Sequence, residues 1–399
     1  MPRSAGVDLH RQAEVFVTGP FPPPVHGMAV ATARLATRLG TRFDVRRFDI
    51  AARPRSGVAG LDVLLRVLAS FGTLARYALG LLTRRPQAVV VAMSAGFAKT
   101  FDLFAIAIAL SQRRVVYVTH HSFAVFDGRT RQGLLGACRP MLRRCRHIVL
   151  CDAMKTALCG AWKLRPDSVF VLSNAALMDS SGGPVDGARV TAGVAPASAT
   201  CRLGFIANLC ADKGLWTFLD VVECAQRDGC PVTALIAGPV EPPDAQLERA
   251  LRNRLRRMTG VEWLGAVHGE QRAAFYEAID LLVFPTVYLH ESEPLVILEA
   301  LARGVPVVTT RRRCIASALA DGVAVQALEE ARFVDAAAAA VMHACRNLPR
   351  DERERAVVEH YRHLCAVGEG QWQQLVTGIE QGDERRAGRY AVSPGRRER

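Results

Sequence analysis

Two glutamates eight positions apart, Glu291 and Glu299, stand in the stretch HESEPLVILEALARGVPVVTT. Pro294 between them suits the first position of a helix, where a missing N–H costs nothing. That helix is predicted from about Pro294 to Arg303, and Gly304 supplies the left-handed residue that ends it. Glu291 then lies in the loop before the helix and Glu299 inside it. The amides of Leu295 and Val296 would point at whatever sits over the helix start, where the dipole favours an anion. A diphosphate held there leaves Glu299 free to accept from a ribose, while Glu291 reaches hydroxyls on the far side. The plain alternative is a capped helix with one solvated acid. A lysine beside a helix start, Lys213 before Gly214, can hold a phosphate as a point charge. His120 and His121 close the run RRVVYVTHHSF, at the carboxyl end of a predicted strand, where open parallel sheets place their active sites. A buried structural histidine is the competing reading there.

These residues need a scaffold of strands and helices to meet. LLVFP (281–285) and VPVVTT (305–310) are continuously apolar, as strands covered on both faces are. VFVTG (15–19) opens into PFPPPVHGM, where Gly27 permits close backbone approach at the start of a helix predicted over 28–39. A Gly-bearing turn between a first strand and first helix is a common phosphate cradle. The G-x-G-x-x-G fingerprint is absent, which argues against a nicotinamide enzyme. Further strands are predicted at 88–94, 203–208, 233–240 and 261–267, separated by helical patterns. Residues 176–200 are rich in Gly, Ser, Ala and Pro and read as an interdomain connection.

The frame around the two acids, FPT then P-L-V-I-L-E-A-L-A-x-G-V-P-V-V, resembles the E-x7-E motif of retaining glycosyltransferases of the GT-B fold, family 4. P-P-P-x-H-G-M resembles the N-terminal loop of its bacterial exopolysaccharide and capsule members. The resemblance implies an α/β architecture of two Rossmann-like domains with parallel sheets facing across a cleft. It divides the chain into an acceptor domain at 1–180, a nucleotide-sugar domain at 181–348, a terminal helical pair at 349–380 that crosses back, and a disordered basic tail at 381–399. The activity implied is metal-independent transfer of a sugar, with retained configuration, from a UDP- or GDP-linked donor to a saccharide acceptor, lipid-linked by expectation. No cofactor beyond the donor is called for. In that resemblance Gly27, Asn208, Lys213, Glu291, Pro294, Leu295, Val296 and Glu299 bind the donor, and His120, His121, Glu291 and Lys213 serve the chemistry. Asn174 fits an asparagine of the family. The chain departs from the pattern where Asn208 replaces an arginine, where Cys151 stands near an expected serine, and where RRRCIA (311–316) replaces a glycine-rich turn. An epimerase or hydrolase of the same fold, or a non-catalytic nucleotide-sugar binder, remains as the alternative.

Composition bounds the partners. A net charge of +13 over 399 residues asks for an anion, and no nucleic-acid-reading module accompanies it, which leaves nucleotide and membrane surface. Residues 61–85 set Arg66, Arg76, Arg84 and Arg85 into an apolar pattern. They read either as an interfacial helix on anionic lipid or as a core-facing helix with a basic outer face. The N-terminus lacks the apolar core of a signal peptide. A cytoplasmic protein, peripheral on the inner face of the cell membrane, is expected. Eleven cysteines without a C-x-x-C pair are expected to be reduced thiols. His360 and His363 lack a third ligand, so no metal site is read.

Overall fold

The computed structural model describes residues 13–23, 25–50, 59–94, 96–126, 133–178, 200–241, 243–318, 325–346 and 350–390. The N-terminal half carries β1 (Glu14–Gly19), α1 (Gly27–Leu39), β2 (Asp44–Asp49), α2 (Ala59–Arg84), β3 (Ala88–Ala92), α3 (Lys99–Ser111), β4 (Val115–Thr119), β5 (Arg146–Val149), α4 (Asp152–Trp162) and β6 (Val169–Val171). The C-terminal half carries β7 (Cys201–Ile206), α5 (Leu215–Arg227), β8 (Val232–Ala237), α6 (Ala245–Leu255), β9 (Val261–Trp263), α7 (Gly269–Ala278), β10 (Leu281–Phe284), α8 (Leu295–Leu301), β11 (Val307–Thr310), α9 (Arg313–Ala318), β12 (Val325–Leu328), α10 (Phe333–Arg346) and α11 (Arg350–Tyr390).

Each half folds into a six-stranded sheet, in the orders β2-β1-β3-β4-β5-β6 and β12-β11-β10-β7-β8-β9. Every pairing is parallel. Helices therefore cover both faces, and the central strands AVVVA and LLVF are buried throughout. In each sheet the strand order reverses once, between β1 and β3 and between β7 and β10. Loops leaving those neighbours diverge and open a crevice at the carboxyl edge. The two α/β sheets expected from the sequence are both present.

Several boundaries differ from the sequence reading. Pro294 is the N-cap of α8 rather than its first residue, and the helix ends at Leu301, with Gly304 left-handed beyond it (φ 73°). Residues 61–84 belong to one helix, not two, and Arg85 lies just beyond it. The predicted terminal pair is likewise one 41-residue helix, α11, which serves both halves. Its Val357 and Tyr361 join the core of the second sheet, while Trp372, Leu375, Val376 and Ile379 join that of the first. α11 crosses residues 174–178 at Gly368, where a side chain would not fit. A Cβ at that position would fall 2.8 Å from the Ala176 amide. The helix also continues to Tyr390, into the stretch expected to be disordered from 381. Its Glu, Arg and Ala content carries helix propensity that a reading by polarity overlooks. The connection at 179–199, including the 180/181 boundary, and the tail at 391–399 lie outside the described residues.

One expectation is overturned. Cys151, the N-cap of α4, is joined to Cys314 of α9 by a disulfide spanning 163 positions. Both sulfurs sit in the apolar core of the first half, so α9 reaches across from the second sheet and is stapled there. Eight other described cysteines take part in no disulfide. Sequence spacing could not reveal this pair, because only the packing of α9 on α4 brings the two residues together. Closing so long a loop removes on the order of 3–5 kcal/mol of unfolded-chain entropy. Cys314→Ser is therefore expected to lower the unfolding midpoint by several degrees, and non-reducing peptide mapping should recover a 151–314 linked peptide. Identical midpoints with and without a thiol reductant would contradict the staple.

Candidate functional site

The site is assembled from three loops at carboxyl ends of strands. The loop leaving β7 carries Asn208 and, five residues on, Lys213. The left-handed Gly214 (φ 86°) follows, because a Cβ there would fall 2.1 Å from the Pro285 carbonyl oxygen. That close approach lays the lysine loop directly on the loop leaving β10, the neighbouring strand. Lys213 Nζ then donates to Glu291 Oε2 at 2.6 Å, and Thr286 Oγ1 donates to the same oxygen at 3.1 Å. The ammonium also lies 4.6 Å from the centre of the Tyr288 ring. Glu291 is largely buried, and its Oε2 takes both of these hydrogen bonds. Asn208 points elsewhere, donating to Glu241 Oε2 at 3.0 Å.

Glu299 occupies a separate charged nest. Its Oε2 accepts from Arg272 Nε at 2.7 Å and from the Tyr276 hydroxyl at 3.0 Å, and Arg272 Nη2 lies 2.6 Å from it. Its Oε1 accepts from Arg34 Nη2, at 3.4 Å, from α1 of the first half. Burial and the adjoining Glu299 charge push the Tyr276 phenol well above its ordinary range, so it remains a donor. Arg272 and Tyr276 are four apart on α7, a spacing that places them on one helical face and that the sequence displayed. Arg34 had no such signal. A cavity of about 600 Å³ opens beyond it, lined by Arg38, Arg42, Tyr361, Arg362 and Trp372 among others.

The third loop leaves β4. His120 is buried, stacked on His147 and edge-on to Trp162. His147 Nε2 donates to the Leu142 carbonyl at 3.0 Å, so its Nδ1 must be the acceptor from His120 Nε2–H, also at 3.0 Å. Burial, and then the neighbouring His147, hold His120 neutral. His121 faces the other way. Its Nε2 is 3.2 Å from Thr119 Oγ1, and its Nδ1 finds no partner among the described residues. Burial lowers its pKa to about 4, so it too is a neutral imidazole at physiological pH. Its carbonyl accepts from Ser292 Oγ at 2.7 Å, and Ser122 Oγ donates to the His290 carbonyl at 3.3 Å. The doubled histidine thus divides its duties: the second borders the Glu291 loop and the first braces it from behind.

Of the remaining candidates, Gly27 begins α1 with open space around its missing Cβ, and His26 caps that helix through Nδ1. Pro294, Leu295 and Val296 start α8 beside Glu293. Seven residues is too short for a helix dipole to act as a site alone, so these amides count as individual donors. Arg311 and Arg312 are engaged with Glu329 and Glu330, and Arg313 lies over Phe123.

Residues 200–347, which hold Asn208, Lys213, Glu291 and Glu299, match the family model described as glycosyl transferases group 1. No curated protein matches the chain at a significant level. Among solved structures, Anabaena HepE in complex with UDP-glucose aligns with a TM-score of 0.64 over 91% of this chain and 99% of its own, at 15% identity. A glycosyltransferase from Rickettsia africae gives 0.67 over 94% and 99%, at 12% identity. Sucrose-phosphate synthase from Thermosynechococcus elongatus gives 0.65 over 93% and 99%, at 13% identity. The chain has the GT-B fold. In GT-B terms, the loops of β7 and β10 form the C-terminal wall of the cleft and the loop of β4 the N-terminal wall.

What sequence reasoning missed is the residue that joins the walls. Glu293 is buried, its Oε1 accepting from Ser173 Oγ at 2.7 Å and its Oε2 from the Asn174 amide at 2.5 Å. Asn174 Nδ2 returns a bond to the Glu293 carbonyl at 3.0 Å. Burial raises the carboxyl to about 7 despite these donors. A raised folded pKa favours the protonated acid, so its stabilising contribution is full below the ordinary value near 4.5 and is lost as pH climbs toward 7. The swing is on the order of 3 kcal/mol. In denaturant unfolding Glu293→Gln should therefore gain stability relative to the native chain between pH 5 and pH 7.5, over a shared background in which Asp102, also raised to about 7 by burial, loses stability while the buried neutral His120, His121 and His147 gain it. An unchanged difference would remove Glu293 from this account.

Proposed function

We propose that the chain transfers a sugar from a nucleotide-sugar to a hydroxyl of a saccharide acceptor, with retained anomeric configuration and without a metal ion. One observation carries the reading. The Lys213–Glu291 pair lies at the switch point of the second sheet, inside the segment that matches group 1 glycosyl transferases, and faces His121 across the cleft.

Each group has a chemical task in this reaction. Lys213 turns from Glu291 to the leaving diphosphate, whose negative charge grows as the glycosidic bond breaks. The Leu295 and Val296 amides add neutral donors. Glu299 is held by Arg272 and Tyr276 through one oxygen, which leaves Oε1 to accept from a ribose hydroxyl once Arg34 yields. Glu291 Oε1 has no partner among the described residues and takes a sugar hydroxyl. Neutral His121 orients the sugar or acceptor by hydrogen bonding without adding charge, and His120 keeps its loop in place. Asn208, on leaving Glu241, supplies a neutral bond where an arginine is the family's habit, and Gly27 lets ligand approach α1 closely. The bond from the anomeric carbon to the diphosphate oxygen breaks as the acceptor oxygen bonds to that carbon on the same face, and the acceptor's proton passes to the departing diphosphate oxygen, through an ion-pair-like transition state.

The UDP-glucose and UDP with glucose in the HepE structures favour UDP as the first nucleotide to try over GDP. The acceptor proposed is a lipid-linked saccharide of exopolysaccharide or capsule synthesis, met at the cytosolic leaflet. Calorimetric titration with UDP and GDP is the test. One nucleotide is expected to bind, with affinity falling at least about ten-fold in Lys213→Ala and in Glu299→Ala, since each removes a charged contact. Unchanged affinity in both folded variants would dismiss the site.

A further inference from the structure

Helix α2 is apolar on two opposite sides. One side packs on the first sheet through Ser70, Leu74, Tyr77 and Leu81, and Ser70 Oγ donates to the Ile50 carbonyl at 2.8 Å. The other carries Leu61, Leu64, Leu68, Phe71, Leu79 and Leu82, all exposed, at the three- and four-residue steps that align side chains along one helical stripe. Leu82 is 65% exposed and Leu68 57%. A soluble helix has no reason to hold such a stripe in water.

The stripe widens on the neighbouring helix. Phe71 packs edge-on against Phe101 at 5.5 Å, and Phe97, 71% exposed, does the same at 5.8 Å. Phe104, one turn along α3, is also exposed. Phe97 follows the carboxyl end of β3, so the aromatic end of the patch lies toward the cleft side of the domain.

Charge decides what covers it. Residues 59–114 hold seven lysines and arginines against only Asp62 and Asp102, and Asp102 is buried. Arg66, Arg76 and Arg84 are exposed on α2 and Arg85 just beyond it; Arg76 and Arg85 flank the apolar row, while Arg84 also pairs with Glu14. A leucine and phenylalanine stripe bordered by arginines fits the boundary between acyl chains and anionic headgroups. The segment Leu61–Arg84 also has the length and hydropathy of a membrane span. Its Leu74, Tyr77 and Leu81 are locked into the protein core, however, so it can lie on a bilayer but cannot cross one.

The geometry points to this face, the outer stripe of α2 with Phe97 and Phe104, as the docking surface of the chain on an anionic bilayer. Docking requires no nucleotide. Its use, bringing the cleft to a lipid-borne acceptor, rests on the transferase reading above.

Co-sedimentation with phosphatidylglycerol and with phosphatidylcholine vesicles tests it, at low and at physiological salt. The native chain is expected to bind the anionic vesicles preferentially. Leu64→Ser/Leu68→Ser/Phe71→Ser should lower the partition coefficient at least about ten-fold, and Arg66→Gln/Arg76→Gln should abolish the preference for anionic lipid. Leu79→Ser/Leu82→Ser, farther from the Phe101 contact, carries the test if the triple variant fails to fold. UDP or GDP binding by the folded variants should equal that of the native chain, so a failed donor site and a failed docking face give different results. Unchanged vesicle binding in the variants, or none by the native chain, would overturn the proposal. So would a native dimer, seen by sedimentation velocity, that the variants dissolve: the face would then belong to a second copy.

Discussion

The arrangement of the cleft depends on one buried carboxyl group. Glu293 has left water and is met by two donors from the opposite half, the Ser173 hydroxyl and the Asn174 amide, while Asn174 grips its backbone carbonyl. An acid so placed cannot drift without losing its hydrogen bonds at a site where water does not replace them. Because Glu291, Ser292 and Pro294 are its immediate neighbours, the loop carrying the donor-side acid is positioned by the first half of the chain as much as by its own sheet. The Ser292 to His121 and Ser122 to His290 bonds extend the same seam. The disulfide and the shared helix α11 hold the halves together at two further places.

Within that frame the charged groups neutralise one another. Lys213 closes on Glu291, and Arg272 with Arg34 closes on Glu299. Three cations thus serve two acids, a small positive surplus in a largely buried place. On the proposed transferase reading, an entering diphosphate would complete such a set more readily than a neutral ligand, because it would supply the missing charge and release the lysine from its own carboxylate. The two neutral histidines fit the same logic. Further positive charge on the N-terminal wall would repel the site's own cations, and burial prevents it.

Much of this was legible in the sequence. Short, β-branched apolar runs such as AVVVA and LLVF read as strands covered on both faces, and two parallel sheets followed from them. Gly304 ends its helix because few other residues tolerate φ of 73°, and the step from Glu291 to Glu299 is a matter of counting. Even the second apolar stripe of α2 was written as leucines at helical spacing, although only the fold tells which stripe faces the core.

Tertiary structure alone decided the pairings between distant residues. Cys151 and Cys314 are 163 positions apart, and nothing in their neighbours specifies the other. Glu293 reads as one more loop acid until Ser173 and Asn174 are brought against it, and the choice between His120 and His121 turns on His147 and Trp162, which claim the first. Local propensity acts over a few residues and burial patterns over one element. Hydrogen-bond partners, by contrast, are chosen by whichever groups the packing of whole sheets leaves within 3 Å of each other. The amino-acid order therefore determined the elements and the candidate chemistry, while packing across the cleft determined which of those residues meet.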